Sequence, residues 1–511
     1  MPWATRRTAR DQVAASEISG PRTYGNWRKP TSPGIHGLGM AGTMVLLGGM
    51  VLVVISMLIS TWLALGFAVA VGLSLVPLLL RDAHGRNGLQ RFTARVAFRN
   101  GRKTGKNVYR SGPLGRTEYG TCQLPGLAAQ STLTEAVDAH GRPFALLSIP
   151  SVNHHTAVLQ CDADGASLVD TEQVDTWVAY WGQWLAALAY EPNLVGCSVT
   201  IESAPDPGIR LEREVSGNID PQAPDLAQTV LREVVQTYPA GSATLTTRVA
   251  LTYSGAAAPG QKRRDAEGMA AEIGLRLPGL SSNLSMTGAG PATPMTASGL
   301  AEAVRVAYDP SVAVLVEEAR SSGGSGITWD EAGPIAAEES WDHYRHDGAF
   351  SITWSMSEAP RGEVFSSVLT SLLLPHPDIS RKRVTMLYRP HDPASAARVV
   401  ERDRKDALFK AQQAKVENAR DSVAVRAAEQ AAREEATGAG VIRFGMLVTA
   451  TVTQRDELER AAAAISNISA PARVALRRVY GSQASAFAAG LPLGIVLPHH
   501  LRVPQAVRDA M

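Results

Sequence analysis

Cysteine is scarce: only Cys122, Cys161 and Cys197 occur in 511 residues, and no two stand at C-x-x-C spacing. A disulfide framework and a four-cysteine zinc site are therefore excluded, and the body of the chain reads as belonging to a reducing compartment. Signatures of nucleotide chemistry are missing too. The nearest approach to a phosphate loop, Gly101-Arg102-Lys103-Thr104-Gly105-Lys106-Asn107, has one spacer too few and Asn where a hydroxyl should hold Mg²⁺. Gly37-Leu38-Gly39-Met40-Ala41-Gly42 matches the dinucleotide pattern in letters, but no strand precedes it and it opens an apolar run. No G-x-S-x-G elbow occurs. The sequence names no catalytic residue and no cofactor.

Charge is absent altogether from Gly37 to Leu80. About 20 apolar residues suffice for one crossing of a bilayer core, so this run predicts a two-helix transmembrane hairpin over 37–80, divided at Ser60-Thr61. Basic residues flank it, which places both termini in the cytoplasm and the protein in the cell membrane as a two-span, multi-pass chain. Ala64, Ala68 and Gly72, with Gly66, Ala70 and Ser74, repeat at four-residue spacing. Small residues at that spacing let helices approach closely, within the hairpin or against another protein.

The net charge of +2 hides a division. Residues 1–110 carry +12 and residues 111–511 carry −10. Arg81, Arg86, Arg91, Arg95, Arg99, Arg102, Lys103 and Lys106 crowd the stretch after the apolar run, several at helical spacing with Phe92, Val96 and Phe98 among them. We read 81–110 as a basic juxtamembrane helix facing anionic lipid. An acidic body argues against a protein built around nucleic acid, although this basic run leaves a tethered DNA-binding factor for conjugation as one alternative.

Beyond residue 110 the periodicities predict an α+β fold: two cytosolic α/β sandwich regions, 111–280 and 328–511, with a linker and short helix at 281–327 between them. Residues 1–36 form a basic N-terminus. Pro143–Pro150, His154–Cys161, Val195–Ser203 and Ala243–Ser254 read as strands, and Thr171–Tyr190 as a helix with Val174, Trp177, Val178, Trp181, Leu185 and Leu188 on one face. In the second region a charged, Ala-rich stretch, Ser395–Ala436, reads as a long helical arm, single or paired. His343 and His346, with Asp342 or Asp347, are the one candidate metal pair and would suit a metal-dependent hydrolase. No third ligand is evident, and His154-His155 and His499-His500 are weaker candidates.

Tyr24-Gly25-Asn26-Trp27-Arg28, the apolar hairpin, RDAHGRNGLQ (81–90), YRSGPLG (109–115) and VDTWVAYWGQWLAAL (174–188) together resemble actinobacterial membrane proteins with an EccE-like domain, similar to a component of type VII secretion translocons. The resemblance covers about 20–280 and implies a non-enzymatic subunit at the edge of a complex. LYRPHDPASAARVVERDRKDA (387–407), DELERAAAAISNIS (456–469) and YGSQASAFAAGLPLG (480–494) are similar to the N-terminal domain of conjugation ATPases of type IV secretion. Because this chain has no phosphate loop, the resemblance implies a motor on another chain. The expectation is a scaffold whose partners are other membrane subunits, an ATPase in trans and anionic lipid, with self-association left open.

Overall fold

A computed structural model of the chain describes residues 24, 25, 27, 39–80, 82, 86–113, 115, 117–163, 165, 168–206, 208–237, 243–256, 264–360, 362–413 and 419–501. Almost all of the basic N-terminus lies outside them. Helices α1 (Gly39–Met57), α2 (Thr61–Leu79) and α3 (Gly88–Lys103) come first, followed by β1 (Val108–Arg110). The first half continues with β2 (Thr132–Val137), β3 (Pro143–Ile149), β4 (His154–Cys161), α4 (Thr171–Ala187) and β5 (Leu194–Pro205). Next come α5 (Ile209–Asn218), α6 (Asp225–Thr237), β6 (Ala243–Ser254), α7 (Ala266–Leu284), β7 (Ala292–Pro294), α8 (Ala297–Tyr308) and α9 (Ala313–Ser321). The second half holds β8 (Ala336–Glu339), β9 (Tyr344–His346), β10 (Ala349–Glu358), α10 (Thr370–Leu373), β11 (Arg381–Pro390), α11 (Pro393–Gln413) and α12 (Ala419–Ala436). It closes with β12 (Ile442–Val452), α13 (Leu458–Ser469), β13 (Ala475–Arg478) and α14 (Gln483–Ala489).

The α+β class holds, but the two sandwiches do not. All 13 strands lie in one sheet, ordered β1-β8-β9-β10-β12-β11-β5-β6-β4-β3-β2, with β13 also on β10 and β7 on β4. The halves join where β5 runs antiparallel to β11, from Lys382 opposite Ser203 to Tyr388 opposite Cys197. Each half offers one long strand with an open edge, and pairing the two satisfies a row of backbone groups that neither could satisfy alone. The arm is two packed helices, α11 and α12. The proposed linker is partly ordered: α7 runs to Leu284 and β7 pairs with β4.

Alternation along the strands gives the sheet two different faces. On one, Cys197, Val249 and Leu251 pack under α4 and α7 through Trp184, Met269 and Ile273, while Val384, Val448 and Ala450 pack under α13 through Leu458, Ala461 and Ile465. The other face is partly polar. Hydroxyls pair across strands there, Ser351 with Thr451 at 2.7 Å, Thr353 with Thr449 at 3.0 Å and Thr156 with Thr252 at 3.1 Å. Helix α8, helix α14 and the segment after it cover that face through Leu300, Val304, Tyr308, Phe487, Leu491 and Leu493.

Hydrogen bonds hold the closing segment down. Thr385 donates to the Gly490 carbonyl at 2.7 Å and Thr252 to the Gly494 carbonyl at 3.0 Å. The Gln483 side chain accepts from the Thr353 backbone N–H at 2.8 Å. Gly494 has φ +64, and a Cβ there would come within 2.0 Å of the Thr252 hydroxyl, so only glycine permits this approach.

One expectation is overturned. Among the described residues no helix is long and apolar enough to cross a membrane, so the two-span hairpin and the multi-pass cell-membrane placement are corrected. Helices α1 and α2 have 19 residues each, about 28 Å at 1.5 Å per residue, against a hydrocarbon core of about 30 Å.

Candidate functional site

The hairpin of α1 and α2 is the most exposed apolar surface of the described chain. Turn residues Leu58 and Ile59 stand 86% and 75% exposed and Trp62, in the first turn of α2, 81%, and Met50, Val54, Leu65 and Leu73 are exposed along the helices. The two helices pack on each other where Gly49 faces Val71, and a Cβ on Gly49 would meet Val71 methyls at 2.7 Å. Ala64 is buried, whereas Ala68 and Gly72 face outward. Only the first member of that small-residue stripe therefore serves the hairpin itself. Trp62, Leu63, Gly66, Phe67 and Ala70 line a shallow outward groove on α2, with Gly66 and Ala70 set between the larger side chains.

Helix α3 ties this hairpin to the sheet. The Gly88 backbone N–H donates to the Leu80 carbonyl at 3.0 Å, and a Cβ on Gly88 would lie 2.9 Å from the Pro77 carbonyl oxygen. Asn87 and Gln90 form a capping box. At the far end Phe98 meets the Trp341 ring edge-on at 5.3 Å, and the Arg95 guanidinium lies 5.6 Å from the centre of the same ring. Arg91, Arg95, Arg99, Arg102, Lys103 and Lys106 are exposed and Arg86 is half-buried; Arg81 lies outside the described residues. Leu89, Phe92 and Val96 are exposed beside them. An apolar stripe flanked by arginines thus extends the hairpin's surface.

The candidate metal pair is separated by its hydrogen bonds. His346 is fully buried, with both ring nitrogens engaged, Nδ1 on the Tyr308 carbonyl and Nε2 on the Ser351 hydroxyl at 2.7 Å. The carbonyl can only accept, so Nδ1 carries the proton and Nε2 accepts from Ser351. Burial pushes this imidazole down to about 4, so it stays neutral. His343 instead sets Nδ1 at 2.9 Å from Asp342. Asp347 accepts from the Ile335 and Ala336 N–H groups and pairs with Arg305. Among the described residues no group of three or more His, Cys, Asp or Glu side chains is set to hold a metal ion. Ser351 and His346 have the distance of a nucleophile and its base, yet both have zero exposure, which denies a substrate access.

Two clusters escaped the sequence reading. The weak pairs His154-His155 and His499-His500 meet: His499 Nδ1 lies 3.2 Å from His154 Nε2, and the His154 ring also faces His500. Burial first, then the neighbouring imidazoles, push His154 down to about 3. The second cluster centres on buried Glu202 of β5. Arg383 holds its Oε2 with Nη2 at 2.7 Å and Nε at 2.9 Å, and Arg381 holds Oε1. Burial opposes ionisation of Glu202, but Arg381, Arg383 and Arg248 outweigh it and hold the carboxyl far below its usual range. Arginine and glutamate interrupting otherwise hydroxyl-rich or apolar alternation, at Arg248, Arg383 and Glu202, was the available signal.

Residues 31–90 match the model of a family described as a domain of unknown function (DUF8461), a stretch that includes α1, α2 and the start of α3. No curated protein matches the chain.

Proposed function

We propose that this chain is a non-enzymatic scaffold subunit of a secretion or conjugation-type translocation apparatus, working with an ATPase supplied by another chain. The observation that carries the reading is the α1–α2 hairpin, an uncharged, largely exposed apolar surface bolted through α3 to a large sheet. Contiguous apolar patches of this kind mark sites of association, because leaving them in water costs about 25 cal/mol per Å². The groove between Trp62 and Phe67 suits close approach of an apolar helix from another subunit. The resemblances to EccE-like proteins and to the N-terminal domain of conjugation ATPases support the apparatus.

Affinity purification of the tagged full-length chain from its native host in mild detergent tests this. The reading expects a defined ATPase chain and further subunits at fixed stoichiometry, lost when residues 39–80 are deleted while the sheet body remains folded. A monodisperse monomer with an intact hairpin would refute it.

A further inference from the structure

We propose that Arg248, Arg381 and Arg383 form a binding site for a small tetrahedral oxyanion of the phosphate and sulfate class. This goes beyond the scaffold reading and does not depend on it. The three arginines converge on the polar face of the sheet from β6 and β11, on either side of β5. Arg383 is the register partner of Glu202, and Arg248 is the register partner of Thr200 two residues earlier. Glu202 is their central carboxylate, and Arg381 and Arg383 already occupy both its oxygens.

Arg248 is left over. It is 9% exposed, and among the described residues its Nη1 hydrogen-bonds only the Thr246 hydroxyl, at 3.2 Å. Among the described residues no carboxylate lies within ion-pair distance of it. Its Nε is buried with no hydrogen-bond partner among the described residues, and so is Nη1 of Arg383, a residue only 2% exposed. The buried Tyr308 hydroxyl, on α8 over the same face, also lacks a partner among the described residues. Tyr308 and Arg383 both lie against the Phe487 ring, at 5.1 and 5.4 Å.

Unanswered donors and unbalanced charge therefore coincide. Three guanidinium groups share the neighbourhood of one carboxylate that pairs with only two of them, and each buried donor without an acceptor costs on the order of 1–3 kcal/mol. A bridging water would answer a donor but not the excess charge, whereas an oxyanion answers both, and the planar fork of arginine suits it. Burial lowers the Arg248 pKa, and Arg383, Arg381 and Arg320 lower it further against the pull of Glu202. The cluster lies toward one end of the sheet, where β5 stops at Pro205, β6 begins at Ala243 and β11 begins at Arg381, and the Arg381 side chain keeps 14% exposure there.

Equilibrium dialysis of ³²P-labelled inorganic phosphate against the full-length protein in mild detergent tests the proposal, with sulfate, acetate and chloride as competitors at matched ionic strength. The expected result is one phosphate per chain, displaced by sulfate far better than by acetate or chloride. Arg248→Met should abolish binding. Arg248→Lys, which keeps the charge but loses the fork, should weaken it at least tenfold with an unchanged circular dichroism spectrum, so a folding failure of the first variant does not decide the matter. No saturable phosphate binding, equal displacement by chloride, or undiminished binding in Arg248→Lys would overturn it.

Discussion

Replacing Glu202 by Gln removes the negative centre of a buried network while keeping its volume. Arg383 and Arg248 are 2% and 9% exposed, so neither can turn to water once the carboxylate is gone. Removing one member of such a buried ion network leaves like charges facing each other and costs about 3–5 kcal/mol. Whole-domain stabilities run at about 5–15 kcal/mol, so the loss is a large share of the total. At roughly 2 °C per kcal/mol for a large body, Glu202→Gln should lower the unfolding midpoint by about 6–10 °C. Guanidinium or thermal unfolding followed by tryptophan fluorescence measures it, with Glu401→Gln as control, since Glu401 pairs with Arg404 and Lys405 at the surface of the arm. Adding Arg381→Met to Glu202→Gln should restore part of the loss, a coupling that a double-mutant cycle isolates. A Glu202→Gln midpoint within about 2 °C of wild type would refute the claim that the carboxylate holds Arg381 and Arg383 together.

Acid should destabilise the chain through its buried histidines. His346 and His154 titrate at about 4 and about 3 in the fold against an unfolded value of about 6.5. Both are depressed, so their contribution is complete above about pH 6.5 and is lost as pH falls through the folded values. Thermal midpoints across pH 7.5 to 4 should fall, and His154→Asn should flatten the slope; an identical slope would exclude His154 as a source. Gly494→Ala should destabilise by about 2 kcal/mol or more through strain and overpacking and raise hydrogen exchange in the 483–500 segment above that of the strands. Exchange left unchanged would show that the close contact with Thr252 and Thr156 does not fasten this segment.

Local periodicity was legible because it depends on neighbours in the chain. His154–Cys161 and Ala243–Ser254 fall within strands of the same bounds, and the tryptophan-rich helix begins at Thr171. Joining the halves was not legible. The β5–β11 pairing links residues about 180 apart, and nothing in Val195–Ser203 names Arg381–Pro390 as its partner. The Gly- and Ser-rich stretch after Leu280 suggested a joint, but tertiary pairing of Ala292–Pro294 with β4 ordered part of it. For the site, Arg91, Arg95 and Arg99 were visible as an exposed helical face. The apolar run was visible as well, yet composition alone overstated what its helices do. His343 and His346 looked alike by spacing, and burial of only one separated them. The arginines around Glu202 could be seen as charges in strands, but which shared a face required the sheet register.

Site-specific photo-crosslinking in the native host tests the central claim most directly, with a photoreactive residue at Trp62 or Phe67 in the groove and at exposed Leu168 on the sheet body as control. The account predicts that both groove positions capture one defined partner subunit, in an assembly that also holds an ATPase, while position 168 does not. Groove positions that capture no protein, or capture the same range of proteins as position 168, would contradict it.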